Sequence, residues 1–262
     1  MSNRSKGFNA RLFLLREMVV RDIRGRYAGS SLGLVWAFAQ PVLWMLLYTA
    51  VFGFILRAPL EAGFANFPEF LLAGLLPWMA FSESLARSAT AMTDNAALVK
   101  KTVFPHEALV LSVVLAAAVN EVIALALYTV FVGALGHLSL PWLSLALFAL
   151  CIQTLLAFGL GLLVATVTTF VRDTAHALGI ALTVLFYATP VVYPASLVPE
   201  RLRPILRANP FAHLVEWYRA AFTLHRAPEA ASVLYVAAFT TLAVLAGSSV
   251  FSRARIHFAD LI

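Results

Sequence analysis

Long apolar stretches separated by short polar segments run through the whole chain. No charged residue occurs between Tyr27 and Leu56, and no Asp, Glu, Lys or Arg occurs between Val122 and Val171. About 20 apolar residues form a helix long enough to cross a bilayer, so the second stretch suffices for two helices, divided by the turn signal at Gly136 to Pro141. The alternating pattern of a β-barrel does not recur. The pattern predicts an all-α integral membrane protein with six transmembrane helices.

The polar breaks set the predicted boundaries within one transmembrane domain over residues 1–262. Its predicted parts are, in order, a cytoplasmic interface helix at 1–30, spans one to three at 32–135, spans four and five at 141–193, an outer re-entrant region at 194–229, span six at 230–251 and a cytoplasmic tail at 252–262. Arg57, Pro59 and Glu61 mark a short outer loop between spans one and two.

Two sets of residues near the start lie on opposite faces of a helix. The apolar set is Phe8, Leu12, Leu15, Val19 and Ile23, and the polar set is Glu17, Arg21 and Arg24. Arg16 and Asp22 flank the apolar stripe, and a solvated charged tail is the alternative interpretation. The pattern favours an amphipathic helix in the membrane interface. Gly25, Gly29 and Gly33 recur every fourth residue, which either admits another helix closely or loosens the joint to span one.

Residues 194–229 are too polar for a simple span and too apolar for an exposed loop. Pro199, Pro204 and Pro210 divide them into short helical pieces. Broken helices are tolerated at membrane depth only inside protein or along a cavity. We expect re-entrant helices on the outer side rather than a further span, because the apolar piece Phe211–Leu224 is short and contains charged residues.

Composition and charge support this interpretation. Hydrophobic residues make up 61% of the chain and charged residues 12%, whereas about a quarter of a soluble domain is charged. The predicted topology places twelve Lys and Arg residues on the cytoplasmic side and six outside, so both termini are expected in the cytoplasm. The basic pI near 9.8 therefore reflects orientation in a membrane, not nucleic-acid binding. The single cysteine, Cys151, excludes an internal disulfide.

Five of the six outer basic residues fall in the re-entrant region, where the positive-inside rule does not place them. Arg201, Arg203 and Arg207 stand closest together. They either pair with neighbouring glutamates and reach lipid headgroups, or attract an anionic substrate or lipid phosphate. These three arginines are therefore candidates for the substrate path, with the pairing interpretation left open.

The chain contains no Walker A, HExxH, CxxC or GxSxG motif, and its histidines show no metal-ligand spacing. Few acidic residues lie deep in the predicted spans. Glu83 can pair with Arg87 four residues later, and Glu121 lies beside Asn120 in span three. Glu121 can form a structural hydrogen bond, join a proton relay or lie nearer the interface. We favour the structural role, because a relay needs a chain of such groups.

Aromatic residues make up 12% of the chain, and most are expected to face lipid or the membrane interface. Some can instead face a pathway, where their rings could stack on the apolar faces of sugar rings. The candidates are Trp36, Trp44 and Tyr48 on span one, and Phe186 and Tyr187 on span five. The sequence does not separate the two roles.

Five segments occur in a characteristic order. They are RDIRGRYAGSSLGLVWAFAQP, NAALVKKTVFPHEAL, VRDTAHAL, ATPVVYPASLVPERLRPILRANPFAHLVEWYR and the basic tail SRARIHFADLI. Together they resemble the permease subunit of ABC-2 type polysaccharide exporters of O-antigen, capsule and teichoic acid, over nearly the whole chain. The part TVFPHEAL is more similar to the O-antigen and teichoic-acid branch than to the capsule branch.

This resemblance implies the transmembrane subunit of an ATP-driven exporter of lipid-linked polysaccharide, not an enzyme. It implies a homodimer in the bacterial inner membrane, bound to two copies of a cytoplasmic ATP-binding subunit that holds ATP and magnesium, with no cofactor in this chain. It also implies cytoplasmic coupling helices, periplasmic re-entrant helices and contact with membrane lipids. The rivals are an exporter of a smaller lipid or drug, a membrane enzyme acting on lipid-linked sugars, and an ion-coupled carrier.

The polar break between spans two and three is the first candidate for contact with the ATP-binding subunit. Its residues are Val99, Lys100, Lys101, Phe104, Pro105, His106 and Glu107. The two lysines offer cations, Phe104 offers an apolar anchor, and Pro105 fixes the backbone before span three. The alternative is that the lysines bind anionic lipid headgroups. The turn at Arg172 and Asp173 is the second candidate.

Overall fold

The computed structural model describes residues 2–26, 30, 32–33, 35–55, 64, 66–101 and 104–262, and the side chains within them except those of residues 2–12, 26, 52–53 and 101. Several predictions fall elsewhere. The outer loop at Arg57, Pro59 and Glu61, the glycine Gly29, and the side chains of Phe8, Leu12 and Lys101 lie outside the described residues.

Every regular element in the described part of the chain is helical. The α-helices are α1 (Ser2–Arg26), α2 (Val35–Tyr48), α3 (Phe67–Thr90), α4 (Ala96–Lys101), α5 (Glu107–Ala134), α6 (Leu143–Phe170), α7 (Thr174–Ala188), α8 (Arg203–Ala208), α9 (Pro210–Arg219), α10 (Ala230–Ala254) and α11 (Phe258–Leu261). Two π-helical segments, Thr49–Ile55 and Ala220–Leu224, continue α2 and α9. Short 3-10 turns lie at Leu140–Trp142, Ala195–Leu197, Glu200–Leu202 and Arg255–His257. The predicted all-α fold is confirmed.

Three of the described helical segments are long and apolar enough to cross a membrane. They are Glu107–Ala134, Leu140–Phe170 and Ala230–Leu261. Shorter apolar helices cover Val35–Val51 and Thr174–Ala188. The 24-residue helix α3 is also long enough, but it carries Glu69, Glu83 and Arg87. These helices confirm a multi-pass membrane protein.

The long helices run back and forth between two ends of the molecule. At the first end, which we call the tail end, α5 begins beside the C-terminus of α10, and Arg255 forms an ion pair of 3.0 Å with Glu107. At the opposite end, α5 finishes beside the start of α3, where the Tyr128 hydroxyl donates to the carbonyl oxygen of Glu69 at 2.7 Å. Helices α3 and α5 are therefore antiparallel.

Helix α6 lies at the centre, packed against α10 and α3. Its contact with α10 depends on glycine, because a Cβ added to Gly159 would lie 2.6 Å from the backbone carbon of Ala243. A Cβ on Gly247 would in turn collide with the carbonyl oxygen of Gly159. The sequence interpretation placed close packing at Gly25 and Gly33 instead. No atom of the described residues lies within 4 Å of a Cβ built on either one, so that prediction has no counterpart among the described residues.

The first helix lies along the tail end of the bundle, against α5. Met18 is buried there with an exposed fraction of 6%, and the Arg21 guanidinium donates to Oδ1 of Asn95 at 2.9 Å. Leu15, Val19 and Ile23 of the predicted apolar stripe are half-buried. The helix is therefore docked on the bundle along this stripe and is not a free tail in its described part.

An ion pair between α1 and α3 adds a contact that the sequence interpretation missed. Arg87 pairs with Glu83 as expected, at 3.9 Å. Its closest partner is Asp22, whose carboxylate accepts hydrogen bonds from both terminal nitrogens of Arg87. Asp22, which flanks the apolar stripe, thereby joins α1 to α3.

Residues 194–229 form short helical pieces at the opposite end. Pro199 precedes a 3-10 turn, Pro204 lies in the first turn of α8, and Pro210 is the first residue of α9, which is a favourable site for proline. Asn209 caps α9, since its side chain accepts a hydrogen bond from the backbone N–H of Phe211 at 3.0 Å. The predicted division by proline is confirmed.

Candidate substrate groove and coupling region

Aromatic side chains from three helices line one groove along the bundle. Helices α2, α3 and α7 enclose a cavity of about 350 Å³. Its lining residues are Trp44, Tyr48, Leu75, Trp78, Met79, Ser82, Leu182, Thr183, Phe186 and Tyr187. Four of the five aromatic residues proposed from the sequence thus meet at one place, although spans one and five are far apart along the chain. We call this cavity the aromatic groove.

The aromatic side chains in the walls of the aromatic groove contact one another in pairs. The centroids of Trp44 and Tyr48 are 5.5 Å apart, those of Trp78 and Phe186 are 5.5 Å apart, and those of Phe186 and Tyr187 are 5.2 Å apart. These separations are typical of aromatic pairs. Tyr187 remains 64% exposed, so the groove is open on the α7 side.

The lining of the aromatic groove differs from the proposed set at two residues. Trp36 does not line the aromatic groove, because it lies eight residues before Trp44 on α2, about 12 Å along a helix. Trp78, which the sequence interpretation missed, is 6% exposed and forms its inner wall. Its ring lies 5.2 Å from that of Phe211, which connects the groove with α9. In the sequence, Trp78 could have been singled out because it is a large aromatic residue directly after Pro77.

A second cavity, of about 420 Å³, opens at the opposite end and is rich in arginine. Its charged lining residues are Arg203, Arg207, Glu216, Arg219 and Arg226. Arg203 pairs with Glu200 at 3.5 Å, and Arg226 pairs with Glu216 at 2.9 Å. Exposed ion pairs of this kind contribute at most about 1 kcal/mol each, so a ligand can displace them. Arg201 is exposed and does not line this cavity.

Arg219 differs from the other arginines of residues 194–229 because it is part of the core. Its side chain is 5% exposed, donates to the carbonyl oxygens of Phe70 and Val191 at 3.3 and 2.9 Å, and lies 3.6 Å above the Phe70 ring. A Cβ on Gly74 would lie 2.9 Å from Val215 and 3.3 Å from Arg219, so glycine is what permits this approach. The guanidinium therefore fastens α9 to α3.

Two buried carboxylates join helices inside the bundle. Glu121 is 3% exposed and accepts hydrogen bonds from Tyr218 at 2.9 Å and from Gln153 at 2.6 Å. It thereby links α5, α6 and α9, which supports the structural role favoured from the sequence. The sequence interpretation missed Glu69, which is fully buried and lies 3.1 Å from Nδ1 of His137. The sequence feature that could have drawn attention to Glu69 is Asn66, three residues earlier. The Asn66 side chain accepts a hydrogen bond from the Glu69 backbone N–H and caps α3.

The predicted coupling residues lie together at the tail end. Val99 is buried, Lys100 and Pro105 are exposed, and Phe104 and His106 are half-buried. Lys101 is the last residue of α4. Glu107 is the first residue of α5 and forms the ion pair with Arg255. Arg172 and Asp173 are exposed in the turn between α6 and α7. Both candidate elements are therefore on one end of the molecule, with exposed charges, and their role stays a prediction.

A multi-pass helical bundle with an aromatic groove along its helices and exposed charged turns at one end has the architecture of a transporter's membrane subunit. The family described as ABC-2 type transporter matches residues 14–223. The chain belongs to this family.

The chain aligns with several named relatives over nearly their whole length. The chain is 37% identical over 253 residues to the O-antigen export system permease protein of Myxococcus xanthus, covering 95% of each. It is 30% identical over 254 residues to the protein of the same name from Klebsiella pneumoniae, again covering 95% of each. It is 25% identical over 246 residues to the polysialic acid transport protein of Escherichia coli, covering 94% of this chain and 95% of that protein. The prediction of a transporter permease, not an enzyme, is confirmed.

Proposed function

We propose that this chain is the transmembrane subunit of an ATP-driven exporter that moves a lipid-linked polysaccharide across the bacterial inner membrane. The observation that carries the proposal is the aromatic groove, in which Trp44, Tyr48, Trp78, Phe186 and Tyr187 line one cavity. Aromatic rings offer flat apolar faces for sugar rings, and the Trp and Tyr side chains add polar tips for hydroxyl groups. The names of the relatives point to the same class of cargo.

The path is proposed to lie between two copies of the chain. Helix α7 has no buried residue, and on α2 the side chains of Leu43 and Leu46 are 54% and 63% exposed. A second copy related by a two-fold axis would place the same two helices opposite each other. The groove would then become one half of a closed path between the two copies.

The proposed topology has six spans. These are α2 with its π-helical continuation, α3, α5, α6, α7 and α10. An even number of spans puts both termini on one side, and the basic tail end favours the cytoplasm. The pieces around α8 and α9 are then re-entrant helices on the outer side, consistent with their proline divisions.

The arginine-rich outer cavity is proposed to receive an anionic group of the substrate. Arg203 and Arg207 line it, and Arg207 has no ion pair among the described residues. Guanidinium groups bind phosphate and carboxylate through paired hydrogen bonds. Arg201 stays a candidate only for the rim, since it is outside the lining.

An ABC-2 permease of this kind works with an ATP-binding subunit. We propose two copies of that subunit for each permease dimer, with ATP and magnesium bound there and no cofactor in this chain. The exposed Lys100, Arg172 and Asp173 are the proposed contacts, with Phe104 and the neighbouring Val99–Glu107 residues supporting them. Reversing Lys100 to Glu should weaken copurification of the ATP-binding subunit if acidic residues of that subunit meet it.

Aromatic substitutions test the cargo. Trp44→Ala and Tyr187→Ala should each lower polysaccharide export by about fivefold, equivalent to roughly 1 kcal/mol for one aromatic contact, while Trp44→Phe retains most of it. Trp36→Ala is the matched control, because Trp36 lies on the same helix outside the groove. Export is measured as surface polysaccharide in cells that lack their own permease. Equal losses in the control and the groove variants, or no loss in any, would contradict the proposal.

A further inference from the structure

The C-terminal residues 255–262 pack against the tail end of the helical bundle. Phe258 of α11 is fully buried, although His257 before it and Ala259 and Asp260 after it are exposed. Its ring lies 5.1 Å from that of Phe251, 6.4 Å from that of Phe170 and 6.4 Å from that of His106. Phe258 therefore fills a site between the end of α6, the end of α10 and the start of α5.

These contacts form a continuous row of rings across the tail end. The ring of His106 also lies 6.1 Å from that of Phe104. The row therefore runs Phe104, His106, Phe258, Phe170, and we call it the aromatic row. One end lies in the segment Val99–Glu107, and the other lies two residues before Arg172. It connects the two elements proposed to contact the ATP-binding subunit.

Further contacts of the tail fix the same geometry. Arg255 forms its 3.0 Å ion pair with Glu107 at the first residue of α5, and Ile262 packs against the main apolar core. Helix α11 contacts both α4 and α6. The tail is thus attached to each of the elements that it lies between.

We infer that Phe258 is a positioning residue that makes the two partner-facing elements move as one body. Closely packed interiors transmit displacement because they contain little free volume. A push on the segment Val99–Glu107 is then passed through Phe258 to the turn at Arg172, so that α5 and the α6–α7 pair shift together. Without that ring the two elements can respond separately. The inference rests on the proposed function, because it assigns a role in coupling ATP hydrolysis to export.

A purely structural role for Phe258 makes a different prediction. A ring that only anchors the tail would, when removed, lower the amount of folded complex and thereby lower ATP hydrolysis and export in proportion. A ring that joins two force-receiving elements would, when removed, lower the export obtained per ATP hydrolysed. The ratio of the two rates therefore separates the alternatives.

The test uses the full permease bound to its ATP-binding subunit. Phe258→Ala should leave copurification and ATP hydrolysis near the wild-type level and lower export per ATP by at least about fivefold, the lower end of ordinary coupling between sites. Phe258→Leu, which retains an apolar side chain of similar reach, should restore most of the ratio. Ile256→Ala is the matched control, because Ile256 lies in the same tail and is 72% exposed.

A second variant keeps the test decisive if Phe258→Ala folds poorly. Phe170 is 48% exposed at the end of α6, so Phe170→Ala should fold and lower the same ratio, with no further loss in the double variant. An unchanged ratio in Phe258→Ala or Phe170→Ala, with normal wild-type export, overturns the role of the aromatic row. A wild-type complex that hydrolyses ATP and exports no polysaccharide instead overturns the proposed function.

Discussion

Replacing Arg219 by Met tests whether this arginine belongs to the core or to a ligand site. Met retains the apolar stem and removes the guanidinium that donates to the carbonyl oxygens of Phe70 and Val191 and lies over the Phe70 ring. Arg226→Met is the matched control in the same region, because Arg226 is 61% exposed and pairs with the equally exposed Glu216.

The magnitude follows from the contacts that Arg219 loses. A hydrogen bond from a charged group contributes about 1.5–3 kcal/mol, and a desolvated cation–π contact contributes about 2 kcal/mol. Removing a buried charge also removes its desolvation cost of several kcal/mol. We therefore expect a net loss of roughly 2–4 kcal/mol for Arg219→Met, whereas an exposed pair such as that of Arg226 contributes about 0–1 kcal/mol.

Thermal unfolding in detergent measures the difference. At about 2–4 °C per kcal/mol for a chain of this size, Arg219→Met should lower Tm by roughly 4–16 °C. Arg226→Met should change it by a few degrees at most. Folded protein is followed by size-exclusion chromatography after heating. An unchanged Tm in Arg219→Met, or an equal fall in both variants, would refute the assignment of Arg219 to the core.

Two further predictions follow from packing and topology. Gly247→Ala should lower stability by about 1–3 kcal/mol, because the added methyl group overpacks the contact with α6. Gly179→Ala, with open space around it, should be neutral or raise stability by up to about 1 kcal/mol. The reverse order of the two variants in thermal unfolding would contradict the packing. The topology is tested by single cysteines in a Cys151→Ser chain. Leu140→Cys, in the turn at the opposite end where Leu140 is 71% exposed, should react with an impermeant thiol reagent in intact spheroplasts, and Ser2→Cys should not. The opposite pattern would reverse the proposed topology.

The helical bundle could be predicted from the sequence because length and apolarity alone define a membrane helix. The aromatic groove could be predicted only in part. Residue type indicated Trp44, Tyr48, Phe186 and Tyr187, but their convergence depends on packing between helices that are distant along the chain. Trp36 has the same residue type on the same helix, and periodicity did not exclude it.

Long-range polar contacts were the least accessible from the sequence. Asp22 was noted only as a polar residue flanking the apolar stripe, because its partner Arg87 lies 65 residues away in the sequence. Arg219 did carry a usable signal, because it lies four residues after Val215 and three before Phe222, on the buried face of α9 and its continuation. The tail was interpreted only as basic, and Phe258 shows no periodic pattern in so short a segment.

Reconstituted transport is the most direct test of the central claim. The permease and its ATP-binding subunit are placed in liposomes with a lipid-linked polysaccharide, and polymer that has crossed the bilayer is measured by protection from an added glycosidase. Polymer should cross only with ATP and both subunits, and Trp44→Ala in the aromatic groove should slow it. Transfer of a short lipid but not of the polymer, or transfer that does not depend on ATP, would contradict the proposed function.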